Sequence, residues 1–133
     1  MELTPAEMDA FLAEPHTLVI ATLRRDGIAH LATVWYRWDG AVFWISTNRT
    51  TAKYRNMVRD PRVTVLVDAP PRETSVTAYG RAEVVASGDE AYEGALAIVS
   101  RYEADPVAYL DARKGEPRVL IRIIQHKLVS WKP

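Results

Sequence analysis

Two Asp-Gly pairs constrain this chain more than any other feature. Asp26-Gly27 separates a β-forming run at 17–23 from another at 28–38, and Asp39-Gly40 separates that second run from an apolar stretch at 41–46. Asp-Gly readily supplies the positive φ values that a tight hairpin turn needs. Three strands joined by two such turns predict an antiparallel meander. The stretch 41–46 is nearly all apolar, which predicts a strand covered on both sides.

The rest of the chain continues this pattern, with helices inserted. Thr4, Pro5 and Glu7 read as an N-cap, a first-position proline and a capping-box glutamate, with Met8, Phe11 and Leu12 on one helical face and Pro15 as the stop. Residues 50–59 predict a helix with a poor apolar face, closed by Pro61. Val63, Val65 and Val67 then alternate as a strand ended by Pro70-Pro71. Residues 74–85 predict a long strand with a bulge or bend at Gly80. Ser87 precedes an amphipathic helix carrying Tyr92, Ala95, Leu96, Val99 and Tyr102 at helical spacing. Asp105-Pro106 starts a short helical piece, and 118–124 and 127–131 predict two closing strands. Strands do not alternate one-for-one with helices, so a doubly wound parallel sheet is excluded in favour of a small antiparallel barrel.

A chain of 133 residues buries about two-thirds of the surface its unfolded form exposes, enough for one core. The expectation is a single domain over 1–133. The 17 Lys+Arg balance the 17 Asp+Glu, which argues against a nucleic-acid module, since phosphate neutralisation needs surplus cations. With no Cys, disulfide frameworks, thiolate metal sites and thiol nucleophiles are excluded. His16, His30 and His126 are scattered without metal-ligand spacing, so no metal is expected. No run approaches the length of a membrane span, and Met-Glu-Leu-Thr-Pro lacks the basic flank of a secretory signal. The expectation is a cytoplasmic protein with no membrane or nucleic-acid partner.

Chemistry concentrates where the apolar third strand meets the next helix: Ser46, Thr47, Asn48, Arg49, Thr50, Thr51, Ala52, Lys53, Tyr54, Arg55 and Asn56. Helix starts carry free N–H groups and partial positive charge, and normally attract Asp or Glu. Here Arg49, Lys53 and Arg55 cluster with no acid before Asp60. A bound anion, with phosphate the obvious candidate, would turn that unfavourable arrangement favourable. A solvated cationic loop with threonine caps explains the same residues. Trp35, Trp38 and Trp44 either fill a barrel and a subunit interface, or Trp35 or Trp38 lines a pocket for a planar ligand. No nucleophile elbow or catalytic dyad is visible.

The runs Trp35-Tyr36-Arg37-Trp38-Asp39-Gly40, Phe43-Trp44-Ile45-Ser46-Thr47, Thr51-Ala52-Lys53-Tyr54-Arg55-Asn56 and Arg59-Asp60-Pro61-Arg62-Val63 together resemble the split β-barrel flavin proteins of the pyridoxamine 5′-phosphate oxidase-like superfamily. The closer match is the flavin/deazaflavin oxidoreductase B subgroup, many of whose members use coenzyme F420. The resemblance spans nearly the whole chain, with Ala21-Thr22-Leu23 early, Gly80-Arg81-Ala82 in the middle and Arg118-Val119-Leu120-Ile121 late. It implies a mainly β fold, a split β-barrel like FMN-binding proteins, in a homodimer with the cofactor between subunits.

Position by position, the resemblance implies that Lys53 contacts the cofactor phosphate. Thr51 stands where relatives place a Ser, Thr or Arg on that phosphate, with Arg49 or Arg55 as substitutes for the arginine; Asn56 closes the same motif. Ser46 and Thr47 lie beside the ring and its ribityl tail. Thr33, Val34 and Trp35 form the neighbouring strand whose backbone approaches the ring, and Ser75 supplies a polar contact. The arginine motifs of true pyridoxamine phosphate oxidases are not seen before Ser130-Trp131-Lys132-Pro133. The implied activity is therefore an F420-dependent oxidoreductase, an enzyme passing hydride from reduced deazaflavin to a small conjugated substrate. FMN is the alternative cofactor, and a non-catalytic carrier of a flavin or other planar cofactor is the alternative role. The cofactor supplies the redox chemistry, which accounts for the missing dyad.

Overall fold

The computed structural model describes residues 1–133. The elements run α1 (Pro5–Ala13), β1 (Leu18–Leu23), β2 (Ala29–Val34), β3 (Arg37–Trp38), β4 (Phe43–Asn48), α2 (Ala52–Arg59), β5 (Arg62–Ala69), β6 (Thr74–Ser87), α3 (Gly88–Val99), α4 (Pro106–Asp111) and β7 (Arg118–Trp131). The seven strands form one sheet in the order β2-β1-β5-β6-β7-β4-β3, antiparallel throughout. Its edge strands β2 and β3 are joined by Trp35 and Tyr36 alone. Two linking residues hold the edges within about 11 Å of each other. The sheet therefore curls on itself without hydrogen-bonding shut, which is a split barrel, and the fold is mainly β with flanking helices as expected.

The three-strand meander is corrected. Residues 28–38 are not one strand: β2 pairs with β1, and β3 pairs with β4 on the far side of the sheet order. The break falls at Tyr36, whose ring is fully buried and whose hydroxyl donates to the Leu12 carbonyl at 2.8 Å. Burial pushes the Tyr36 phenol pKa far up, so it stays a donor. The Arg101 guanidinium stacks over Tyr36 and donates to the Ala13 carbonyl at 2.8 Å, tying the end of α3 to the end of α1.

The two closing strands are one strand instead. Gly80 pairs with Gln125 and Tyr79 with Lys127, so His126 is the extra residue of a bulge that bends β7 without ending it. A Cβ on Gly80 would stand 2.2 Å from the Ile124 carbonyl oxygen, so only glycine allows this approach.

The main core cluster fills the inside of the curl and includes Phe43, Ile45, Val63, Val65, Val67, Ile121 and Ile123. Burying a side chain of this kind stabilises by about 1.5–3 kcal/mol. The capping box at Thr4 and Glu7 forms, and Phe11 and Leu12 of α1 close one end of the barrel. α3 packs across β7 and β4, and Ala95 and Val99 meet Leu110 of α4 in a second cluster with Trp35 against it. No helix is long and apolar enough to cross a membrane.

The stretch 41–46 is not covered on both sides as expected. Phe43 and Ile45 are fully covered within one chain, whereas strand alternation turns Trp44 to the other face, where it is only partly buried; before the strand, Val42 is partly buried and Ala41 exposed. Part of the uncovered apolar surface gathers on the outer face of β2, β6 and β7, while Ile28, Val58 and Val107 are exposed elsewhere. Leu31 is 66% exposed, Tyr79 40%, Val129 46% and Trp131 55%, and the strand register places all four on that face.

Candidate functional site

Curling brings the ends of β2 and β4, the start of α2, the α3–α4 cluster and the start of β7 around one cavity of about 450 Å³. That volume falls within the ~300–1,000 Å³ range of small-molecule and cofactor clefts. Thr33, Val34, Trp35, Ser46, Thr47, Thr51 and Lys53 all line it. The resemblance implies that Thr33 to Trp35 lie on the strand next to that of Ser46 and Thr47; instead β2, which ends at Val34 just before Trp35, and β4 lie at opposite sides of the sheet order and meet through the curl.

The local geometry follows from the turn between β4 and α2. Asn48 Oδ1 accepts from the Thr50 amide at 3.0 Å, bending the chain out of the strand. Thr51 is the N-cap: its hydroxyl accepts from the Tyr54 amide at 3.3 Å and donates to the Asn48 carbonyl at 3.0 Å. Lys53 then stands in the first turn of α2, which contains no acid. Its ammonium has no ion-pair or hydrogen-bond partner in the chain, and partial burial lowers its pKa below the ordinary 10.5.

Four of the expected residues lie elsewhere. Asn56 is buried, donates to Thr22 Oγ1 at 3.1 Å and accepts from Arg59 at 3.0 Å, so it fastens α2 to β1. Arg49 faces an adjoining cleft of about 560 Å³ and its amide donates to the Pro117 carbonyl. Ser75 pairs with Trp131, at the opposite end of β7 from Arg118. Arg55, the other substitute, folds back onto the Thr50 carbonyl at 2.8 Å.

The cavity also holds residues that the sequence did not single out: Tyr109, Arg113, Glu116 and Arg118. Arg118 opens β7 opposite Asn48, donates to Ser46 Oγ at 2.8 Å and pairs with Glu116 at 3.1 Å. Arg113 lies over the Tyr109 ring, 3.6 Å from its centroid. The Trp35 indole stacks on Tyr102 at 4.7 Å, with 3° between planes, and leans on Tyr109 at 5.2 Å. Trp35 is thus a fixed wall. Trp38 instead packs on Phe43 and donates to Asp9.

The result is a cleft with an aromatic and aliphatic wall at one side and Lys53, Arg113 and Arg118 against a single carboxylate, Glu116. Thr33, Ser46 and Thr47 also line it, with the Thr47 hydroxyl 3.3 Å from that of Thr51. Such a cleft suits a flat apolar ring joined through a polar tail to an anion.

A family model described as pyridoxamine 5′-phosphate oxidase matches residues 4–132. Among solved structures, a conserved hypothetical protein of Mycobacterium tuberculosis is similar at 28% identity and a TM-score of 0.81, covering 98% of this chain and 85% of that one. An F420 reductase is similar at 24% identity and a TM-score of 0.71, covering 90% and 94%. An FAD-binding protein of Mesorhizobium loti is similar at 20% identity and a TM-score of 0.74, covering 98% and 93%.

Proposed function

This chain belongs to the pyridoxamine 5′-phosphate oxidase family, within a superfamily of flavin-binding oxidoreductases, and from that premise we propose that it is an F420-dependent reductase of a small conjugated substrate. The observation that carries the reading is Lys53: a half-buried ammonium without a counter-charge, in the acid-free first turn of a helix, inside the cavity. Such a charge is unfavourable alone and favourable beside a phosphate. The likeness to an F420 reductase favours deazaflavin.

In this reading Lys53 and the first free amides of α2 hold the phosphate. Ser46 and Thr47 hydrogen-bond the tail, and Thr33, Val34 and Trp35 carry the ring. Thr51 contributes through the helix cap, because its proton is already given to Asn48. A bound deazaflavin supplies hydride transfer. The protein orients ring and substrate and excludes water. A second copy of the chain covers the outer apolar face around Leu31 and Trp131 and closes the cleft, since patches of this kind mark interfaces.

FMN remains the second candidate, because its phosphate would meet the same cations and one similar structure binds FAD. The deciding experiment titrates coenzyme F420 and FMN against tryptophan fluorescence, with Trp35 in the cavity wall as reporter. Tighter binding of F420 supports the reading; equal or tighter binding of FMN replaces it. Turnover with reduced cofactor separates an enzyme from a carrier.

A further inference from the structure

Resting on that phosphate reading, we infer that Glu116 is an internal competitor for the ligand's anion, holding Arg118 in reserve and thereby setting the selectivity of the site. Two cations of the cavity differ in this respect. Lys53 has no counter-charge, whereas Arg118, whose side chain is only 15% exposed, is paired with Glu116 at 3.1 Å. The same Glu116 oxygen also faces the Asn48 amide at 3.5 Å. Glu116 therefore sits where an oxygen of a bound anion would otherwise meet Arg118 and Asn48, both cavity residues.

The loop lets Glu116 leave. Its side chain is 39% exposed, and it follows Gly115, whose φ of +91° marks a turn in the chain. Immediately beyond it, the Pro117 carbonyl accepts from the Arg49 amide and Arg118 enters the sheet beside Asn48. The backbone is thus anchored on the Arg118 side, while the carboxylate can swing to solvent. Arg118 stays in place meanwhile through its bond to Ser46 Oγ at 2.8 Å.

A ligand with no charge at this end leaves the Glu116–Arg118 pair intact. A phosphate engages Lys53 first and reaches Arg118 only by displacing Glu116. Glu116 thus weakens every phosphate-bearing ligand and leaves neutral ones unaffected. A weakly charged anion gains too little from Arg118 to displace it.

The test measures Kd by tryptophan quenching for FMN against riboflavin, which differ only in the phosphate, and for coenzyme F420 against its chromophore without phosphate and tail. Glu116→Gln keeps the shape and removes the charge, on an exposed loop where folding is not at issue. It should tighten FMN and F420 about three- to fivefold, the upper part of the scale of a partly exposed ion pair. Riboflavin and the phosphate-free chromophore should change less than about twofold, within that same scale. In an Arg118→Gln background the Glu116→Gln gain should vanish. Unchanged or weaker FMN and F420 binding in Glu116→Gln, or a gain shared by the neutral ligands, overturns the inference while leaving the phosphate site standing. Failure of the wild-type protein to bind any of the four ligands overturns the phosphate site and this inference together.

Discussion

The Trp35 indole and the Tyr102 phenol lie face to face, 4.7 Å apart with 3° between their planes, and Tyr102 donates its hydroxyl proton to the His16 carbonyl at 2.6 Å. The cavity wall is therefore fixed by a residue beyond α3, far along the chain. Burial raises the Tyr102 pKa, so the phenol remains the donor through neutral pH.

Tyr102→Phe keeps the stack and removes that donor. It should cost about 1 kcal/mol of stability and leave the His16 carbonyl unpaired. Urea unfolding measures the cost. Ligand affinity should change little, because the ring that holds Trp35 is retained; an equal loss in both would assign Tyr102 a direct contact with the ligand.

Gly80→Ala should destabilise by about 2 kcal/mol or more, because the new Cβ meets rigid backbone rather than a movable side chain. The matched comparison is Gly27→Ala at the outer turn. There nothing lies within 4 Å and only the φ of +83° is strained, so the loss should be smaller. Equal midpoints for the two variants would remove the bulge from the account.

Gly80 illustrates what was legible in the sequence. A glycine inside a strong strand pattern marked the bulge, and Val63, Val65 and Val67 marked a buried face. The two Asp-Gly turns, the capping box and the amphipathic α3 were also readable, because each rests on contacts local in sequence. The strand order was not. Whether residues 28–38 are one strand or two depends on Tyr36 reaching Leu12, a contact that no local pattern encodes. The same holds in the site. Lys53 was legible because the missing acids lie beside it. Arg118 was not, since it meets Ser46 only through the β4–β7 pairing, 72 residues apart in sequence. Asn56 had the right neighbours in sequence but turns inward to Thr22.

The outer sheet face predicts self-association. Light scattering at micromolar concentration should give twice the 15.0 kDa chain mass. Leu31→Glu, at a side chain 66% exposed in the single chain, should yield a folded monomer with weaker cofactor binding. A wild-type monomer with full affinity would remove the second copy from the site.

Cofactor affinity should fall with alkaline pH. Burial lowers the Lys53 pKa below 10.5, so the free site loses its charge as pH rises through that lowered value, and a bound phosphate raises it again. Binding should therefore take up a proton in that window and weaken above it. Lys53→Arg, charged throughout, should keep its affinity to higher pH. A flat profile for wild-type protein would mean that Lys53 faces no anion.

The most direct measurement compares Lys53→Ala with wild type in two states. Without ligand, stability should be unchanged or higher by a few tenths of a kcal/mol, because a cation leaves an acid-free helix start. Affinity for F420 or FMN should fall by about 1.5–3 kcal/mol, roughly ten- to a hundredfold or somewhat more, and the loss should shrink as salt rises. Arg24→Ala, at the exposed β1–β2 turn where Arg24 pairs with Asp26, should change neither. Normal cofactor binding by Lys53→Ala, or simple unfolding of the variant, would contradict the account and return the start of α2 to ordinary structure.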